Sequence, residues 1–115
     1  MAYLPGFQLD GHDIDGDGAA GDEWYTPPWL LRWLEPIALD PCYSAASFVV
    51  AAATIDTRDG RDGLAEDWQP GPDGVIFVNP PFSNTRAWLH KCRVESKRLD
   101  RVVVALVPAL PGDNP

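Results

Sequence analysis

The residues with the clearest chemical potential form the run Asn79-Pro80-Pro81-Phe82, which directly follows the apolar segment Val75–Val78. An apolar segment rich in β-branched residues, entered from the Pro- and Gly-rich residues 70–74, predicts a buried strand. Pro80 and Pro81 lack backbone donors and fix φ, so they end the strand in a rigid corner. The sequence therefore predicts an amide and an aromatic ring held side by side where a core strand ends.

This corner suits the recognition of a flat ring that carries an amino group. The Oδ1 atom of Asn79 and the carbonyl of Pro80 could both accept hydrogen bonds from one exocyclic NH2 group. Phe82 could stack on the ring that bears this group. The alternative is an Asn-Pro turn that only ends a strand, with Phe82 in the core.

The rest of the chain supplies elements that would position this corner. Strands are predicted at residues 37–40, 54–56 and 101–107, and helices after Thr26, over 45–53 and from Ser83 or Asn84 to about Leu99. Alternating strands and helices predict a parallel α/β sheet, in which ligands bind at the carboxyl ends of the strands. Asp40 and Asn79 both end strands, so the sheet should bring them to one rim although they are 39 positions apart.

The first predicted helix carries two of the five tryptophans. Thr26 is a favourable N-cap, Pro27 is a favourable first helical residue, and Pro36 should close the helix. Four apolar side chains recur at helical spacing and predict one buried face: Trp29, Leu30, Trp33 and Leu34. Trp68, further along the chain, is also expected in the core.

The corner run resembles the Asn/Asp-Pro-Pro-aromatic catalytic motif of amino-methyltransferases that use S-adenosylmethionine. Other short blocks follow in the order seen in phage-type DNA N6-adenine methyltransferases, the Dam-like group: Asp22–Pro27, Leu39–Cys42, Asp62–Leu64 with Trp68, and Leu106–Ala109. The resemblance covers about residues 22 to 110. It implies the Rossmann-like, mainly parallel α/β sheet of a class I methyltransferase, with further strands after Val107 in a complete member.

The resemblance also implies roles for individual residues. Asn79, Pro80, Pro81 and Phe82 would form the catalytic corner. The cofactor S-adenosylmethionine would be lined by seven residues: Trp24, Tyr25, Thr26, Pro27, Asp40, Pro41 and Asp62. For Asp40 and Asp62 the alternative is a plain turn residue. The glycines usual at the turn after the first strand are absent, and residues 43–46 stand there instead, a departure typical of the Dam-like phage group.

The function implied is methyl transfer to the N6 amino group of adenine in double-stranded DNA, with no metal required. One alternative is an amino-methyltransferase that acts on cytosine N4, protein or RNA. Another is a non-catalytic or truncated copy that binds the cofactor or a protein partner. A cofactor titration followed by a methyl-transfer assay on DNA separates these possibilities.

The charge of the chain is unfavourable for a DNA enzyme, because 17 acidic and 9 basic residues give a net charge of -8. The basic residues cluster after the corner, between Arg86 and Arg101, where the alternative is a solvated helix surface. We therefore expect the chain to bind the cofactor better than it binds DNA.

The remaining features limit the class and location of the protein. Residues 1–21 are predicted to be an acidic flexible tail, and residues 22–115 the methyltransferase-like domain. Asp13, Asp15 and Asp17 match the first half of a calcium loop, but Trp24 occupies its twelfth position, so no calcium site is expected. Two cysteines give no disulfide or zinc pattern, and no run is long enough to span a membrane. Without a recognisable signal peptide, a cytoplasmic protein is expected. The resemblance implies that a bacterial host or a phage encodes it.

Overall fold

The computed structural model describes residues 2–4 and 26–107. Five strands form one sheet: β1 (Ala2–Leu4), β2 (Ile37–Tyr43), β3 (Thr54–Asp56), β4 (Val75–Val78) and β5 (Val103–Leu106). The strand order is β1-β5-β4-β2-β3, and every neighbouring pair is parallel. The prediction of a parallel α/β sheet is confirmed.

Two helices cover the two faces of this sheet. Helix α1 (Pro28–Leu34) packs through Leu30 and Leu31 against the face that carries Phe77. Helix α2 (Thr85–Leu99) packs on the opposite face, which carries Ile76 and Val78. Because successive strand residues point to opposite faces, a strand covered on both sides must be apolar throughout. This requirement explains the uninterrupted apolar run that precedes Asn79.

The structure corrects the predicted face of α1. Trp29 and Trp33 are 52% and 74% exposed, whereas Leu30 and Leu31 are buried. Consecutive helical positions lie about 100° apart, so Leu30 and Leu31 together define the inward side and leave the tryptophans on the outer flank. The predicted N-cap is also wrong, because Pro27 holds that position and Thr26 precedes it.

The helix predicted over residues 45–53 is absent. A turn at residues 45–46 is followed by irregular chain, and Ala51 then forms an isolated bridge with Ile37. The Ser44 hydroxyl accepts from the N–H of Ala46 at 3.3 Å, and that of Ser47 accepts from the N–H of Val49 at 3.0 Å. Serine side chains that bond to nearby backbone groups compete with the helical pattern.

Two strand predictions also need correction. The tail predicted over residues 1–21 includes Ala2–Leu4, which instead forms β1 and pairs with β5. The apolar segment β5 would otherwise be an unpaired sheet edge, which explains why a further strand adds there. Strand β2 continues beyond Asp40 to Tyr43, and its pairing register with β3 shifts between these residues, where Pro41 cannot donate to the ladder.

Within the residues that the structure describes, no helix has the length and apolarity needed to cross a membrane.

Candidate active site

Asn79 stands directly after the central strand β4, and its side chain is anchored across the fold. Its Nδ2 atom donates to the hydroxyl of Thr26 at 3.1 Å, a contact between residues 53 positions apart. Thr26 is itself buried. Because Thr26 takes up the donor end of the amide, this bond also fixes the direction of its acceptor, Oδ1. Thr26 was expected to cap a helix, but its hydroxyl orients the amide instead.

Asp40 lies at the same rim as Asn79. Both line a narrow crevice of about 10 Å³, together with Thr26, Cys42, Ser44, Ser47 and Val49. Asp40 is buried, and its Oδ1 atom accepts from the backbone N–H of Cys42 at 3.1 Å. The expectation that the sheet brings these two residues to one rim is therefore confirmed, although β2 continues beyond Asp40 to Tyr43. The carboxylate holds the bend in β2 that follows it.

A larger cleft opens beside this crevice, also at the carboxyl ends of the strands. Its volume is about 710 Å³, within the range of small-molecule sites. The walls come from the end of β2, the end of β3, the loop after β3 and the start of α2. Among the lining residues are Pro41, Cys42, Asp56, Asp62, Pro81 and Trp88.

The site residues taken from the resemblance are distributed around this rim. Pro80 is fully buried behind Asn79, and the backbone carbonyl of Pro81 accepts from the N–H of Asn84 at 3.1 Å. Phe82 is half-buried and begins the short 3-10 turn that leads into α2. Pro27 is half-buried at the N-cap of α1. Trp24 and Tyr25 lie outside the described residues, as does the Asp-rich segment.

Sequence reasoning missed Asp56 as a site residue. It is buried at the carboxyl end of β3 and lines the cleft. Its carboxylate accepts from the backbone N–H of Arg58 at 2.9 Å and from the Arg58 Nε at 3.0 Å. These hydrogen bonds lower the pKa of Asp56 and keep it charged at neutral pH. The available signal was an acid at the end of the next predicted strand after Asp40, since an acidic residue binds the ribose hydroxyls in dinucleotide-binding α/β folds.

Asp62 belongs to a wall of the cleft that depends on a glycine. A Cβ atom added to Gly63 would lie 2.1 Å from the carbonyl oxygen of Pro41 and 2.7 Å from the Trp88 ring. Only glycine allows this approach of the loop to β2. Asp62 accepts the N–H of Leu64 through its Oδ1 atom at 2.9 Å, so the loop has a defined turn at the cleft.

Behind this wall lies a buried ionic cluster that fixes it to α2. The indole of Trp68 donates to the carbonyl of Gly63 at 2.7 Å, and the backbone N–H of Trp68 donates to the Glu95 carboxylate at 2.6 Å. Arg98 completes the cluster, with its Nε atom 2.7 Å from Glu95 and its Nη2 atom 2.8 Å from the Trp68 carbonyl. Glu95 is 1% exposed, and the Arg98 guanidinium holds its pKa at about 2.

A second cavity of about 760 Å³ lies at the opposite rim, lined by residues such as Pro36, Ile37 and Asp73 at the amino ends of β2 and β4. Parallel sheets bind their ligands at the carboxyl ends, so the cleft beside Asn79 is the better candidate. No cluster of three or more potential metal ligands occurs among the described residues.

The profile of one protein family, described as DNA N-6-adenine-methyltransferase (Dam), matches residues 16–113 of the chain. The chain belongs to the Dam family. The resemblance read from the sequence is thereby confirmed, and membership in this family indicates a methyltransferase associated with DNA adenine methylation. Comparisons with curated proteins and with solved structures gave no match.

Proposed function

We propose that this Dam-family chain transfers a methyl group from S-adenosylmethionine to the N6 amino group of adenine in double-stranded DNA, within a Rossmann-like class I methyltransferase fold. The observation that supports the proposal most strongly is the corner itself. Asn79 follows the central strand, its Nδ2 is bonded to Thr26, and it lies at the rim that also holds the 710 Å³ cleft.

The proposed methyl transfer depends on hydrogen-bond acceptors for the adenine amino group more than on a general base. The lone pair of the adenine amino group is delocalised into the ring, so N6 is a weak nucleophile. Asn79 Oδ1 and the Pro80 carbonyl would accept hydrogen bonds from its two N–H groups and favour the pyramidal nitrogen of the transition state. The methylated nitrogen would then release one proton to solvent. Such preorganised acceptors contribute to catalysis by stabilising the charge distribution of the transition state and aligning the reactants. The target base must leave the duplex to reach them, and Phe82 would stack on it.

The cleft fits an adenosine-based cofactor. S-adenosylmethionine would supply an electrophilic methyl group on its sulfonium. The charged carboxylate of Asp56 offers acceptors for ribose hydroxyls, in the position that related nucleotide folds use. Asp62 could accept from the adenine amino group of the cofactor, and Asp40 would support the turn at Pro41 beside it.

The experiment combines a cofactor titration by calorimetry with transfer of a labelled methyl group to an adenine-containing duplex. Asn79→Ala should reduce turnover by about 100-fold or more while the cofactor Kd stays within about twofold, because the lost acceptor acts in the transition state. Asn79→Asp is the matched variant. It keeps an acceptor, and the Thr26 hydroxyl can donate to it, so it should retain more activity than Asn79→Ala.

Near-normal turnover by Asn79→Ala would remove this residue from the mechanism. Cofactor binding by the wild type without transfer to DNA would instead favour the alternative of a non-catalytic binding module. Methyl transfer to another substrate that carries an amino group would support the role of the corner but show that adenine in DNA is not the target.

A further inference from the structure

The basic residues that follow the corner separate into two groups in the structure. Lys91, Arg98 and Arg101 are engaged with other groups of the protein, although Arg98 is still 41% exposed. Lys91 and Arg98 pair with Glu95, and Arg101 donates to the carbonyls of Gly71 and Gly74 at 3.1 and 2.8 Å. These three side chains join α2 and the start of β5 to the preceding loop. Their charged groups are already bonded within the fold, so we do not include them in a surface that meets a partner.

The second group forms a stripe on the outer surface of α2, defined by Arg86, His90, Arg93 and Lys97. All four side chains are exposed. Their spacing of four, three and four residues keeps them within an arc of roughly 60° on a helix. The buried residues of α2, including Trp88 and Cys92, lie on the opposite side. The stripe therefore faces away from the sheet.

The stripe is unusual in a chain with a net charge of -8. Glu95 is the single acid within α2, and it is buried and paired. Arg93 and Lys97 form no ion pair within the part of the chain that the structure describes. A favourable interaction of Lys97 with the helix dipole accounts for one position in the last turn, but it does not account for Arg93, which lies near the middle of the helix.

The position of the stripe relative to the corner suggests its partner. Arg86 lies seven residues after Asn79, in the first turn of the helix that leaves the rim. From Arg86 to Lys97 the stripe extends about 16 Å along the helix axis. A duplex that presents a base to Asn79 must bring its phosphates close to the start of α2. We propose that this stripe binds the phosphate backbone of double-stranded DNA, an inference that rests on the proposed function.

The test measures DNA affinity as a function of salt concentration by anisotropy of a labelled adenine-containing duplex. Each lost phosphate contact lowers the slope of log K against log salt by about 0.9. The double variant Arg93→Gln/Lys97→Gln should therefore reduce the slope by about 2 and weaken binding at ~50 mM salt on the order of tenfold. Both residues are exposed, and an unchanged thermal melt will establish that the fold is intact.

The matched control is Arg32→Gln. Arg32 is also an exposed arginine on a helix, but α1 packs on the opposite face of the sheet. The Arg32→Gln variant should leave the salt slope unchanged, and Arg93→Gln alone should lower the slope by about 0.9. An equal loss for Arg32→Gln and Arg93→Gln would overturn the proposal, because net charge would then explain the effect. The proposal would also be overturned by an unchanged salt slope in the double variant, or by a wild type that does not bind the duplex at low salt.

Methyl transfer by the wild type separates this proposal from the proposed function. If the wild type methylates DNA but the stripe variants leave the salt slope unchanged, the stripe is not the DNA-binding surface and the proposed reaction stands. If the stripe variants lower the salt slope but the wild type transfers no methyl group, the stripe binds DNA and the proposed reaction is wrong.

Discussion

Glu95 is a buried charged residue whose removal should destabilise the fold, although it lies outside the catalytic corner. Its carboxylate accepts from the Trp68 N–H and from two nitrogens of Arg98, at 2.6, 2.7 and 3.0 Å. In Glu95→Gln the amide would turn a donor toward a guanidinium that can only donate. We therefore expect the variant to lose one hydrogen bond and to leave Arg98 without its charge partner.

The magnitude follows from the pKa of Glu95, which Arg98 lowers from 4.5 to about 2. A shift of this size corresponds to about 3 kcal/mol of preference for the charged form in the folded state. Arg98 is 41% exposed, and solvent screening makes this an upper value. Glu95→Gln should therefore lower the free energy of unfolding by about 2–3 kcal/mol at neutral pH.

The same shift gives the pH dependence. Because the pKa is lower in the folded state, the stabilisation is fully present above pH 4.5 and is lost as the pH falls towards about 2. The difference between wild type and Glu95→Gln should thus shrink by more than half between pH 6 and pH 3. Urea unfolding, followed by tryptophan fluorescence at several pH values, measures this difference.

The matched control is Glu66→Gln, which makes the same substitution in a surface pair with Arg61. An exposed pair contributes about 0–1 kcal/mol, so this variant should unfold nearly as the wild type does. The reasoning fails if Glu95→Gln costs less than about 1 kcal/mol, or if its difference from the wild type is independent of pH.

Two further predictions concern the cleft. Asp40→Ala should raise the Kd for S-adenosylmethionine about tenfold, because the turn at Cys42 loses its side-chain acceptor, while Asp73→Ala at the opposite rim should leave the Kd unchanged. A calorimetric titration that finds the same Kd for Asp40→Ala and wild type would show that Asp40 is only a turn residue. Iodoacetamide at pH 8 should modify half-buried Cys42 and spare Cys92, since burial raises the pKa of the Cys92 thiol to about 12. Bound cofactor should slow the reaction of Cys42, as measured by peptide mass spectrometry, and a rate independent of cofactor would argue against this cleft.

Strong local patterns predicted most of the sheet. The run before Asn79, bounded by turn residues and prolines, is β4, and the segment from Thr54 to Asp56 is β3. Helix α2 was expected from residue 83 or 84 and begins at Thr85 after a 3-10 turn. The placing of Asp40 and Asn79 at one rim was predictable because the carboxyl ends of parallel strands share one edge of the sheet.

The sequence-based predictions were wrong or incomplete where several side chains fitted the same local pattern, or where contacts between residues distant in the chain determine the structure. Trp29 and Trp33 follow a helical period as well as Leu30 does, and only the docking of α1 onto Phe77 selects the leucines. The hydrogen bond between Thr26 and Asn79 joins residues that no local pattern connects. Asp56 carries no motif of its own, and its place in the cleft depends on β3 pairing with β2.

The pairing of β1 with β5 has a consequence for how the protein is made. Ala2 pairs with Val104, so strands at the two ends of the described chain are neighbours. A ribosome adds about 5–20 residues per second, and β1 must therefore wait roughly 5 to 20 seconds before its partner exists. Pairing over so long a sequence separation is also slow, because the loop must close before the contact stabilises it. The sheet therefore cannot be completed until β5 has been synthesised, and β1 has no partner strand over that interval.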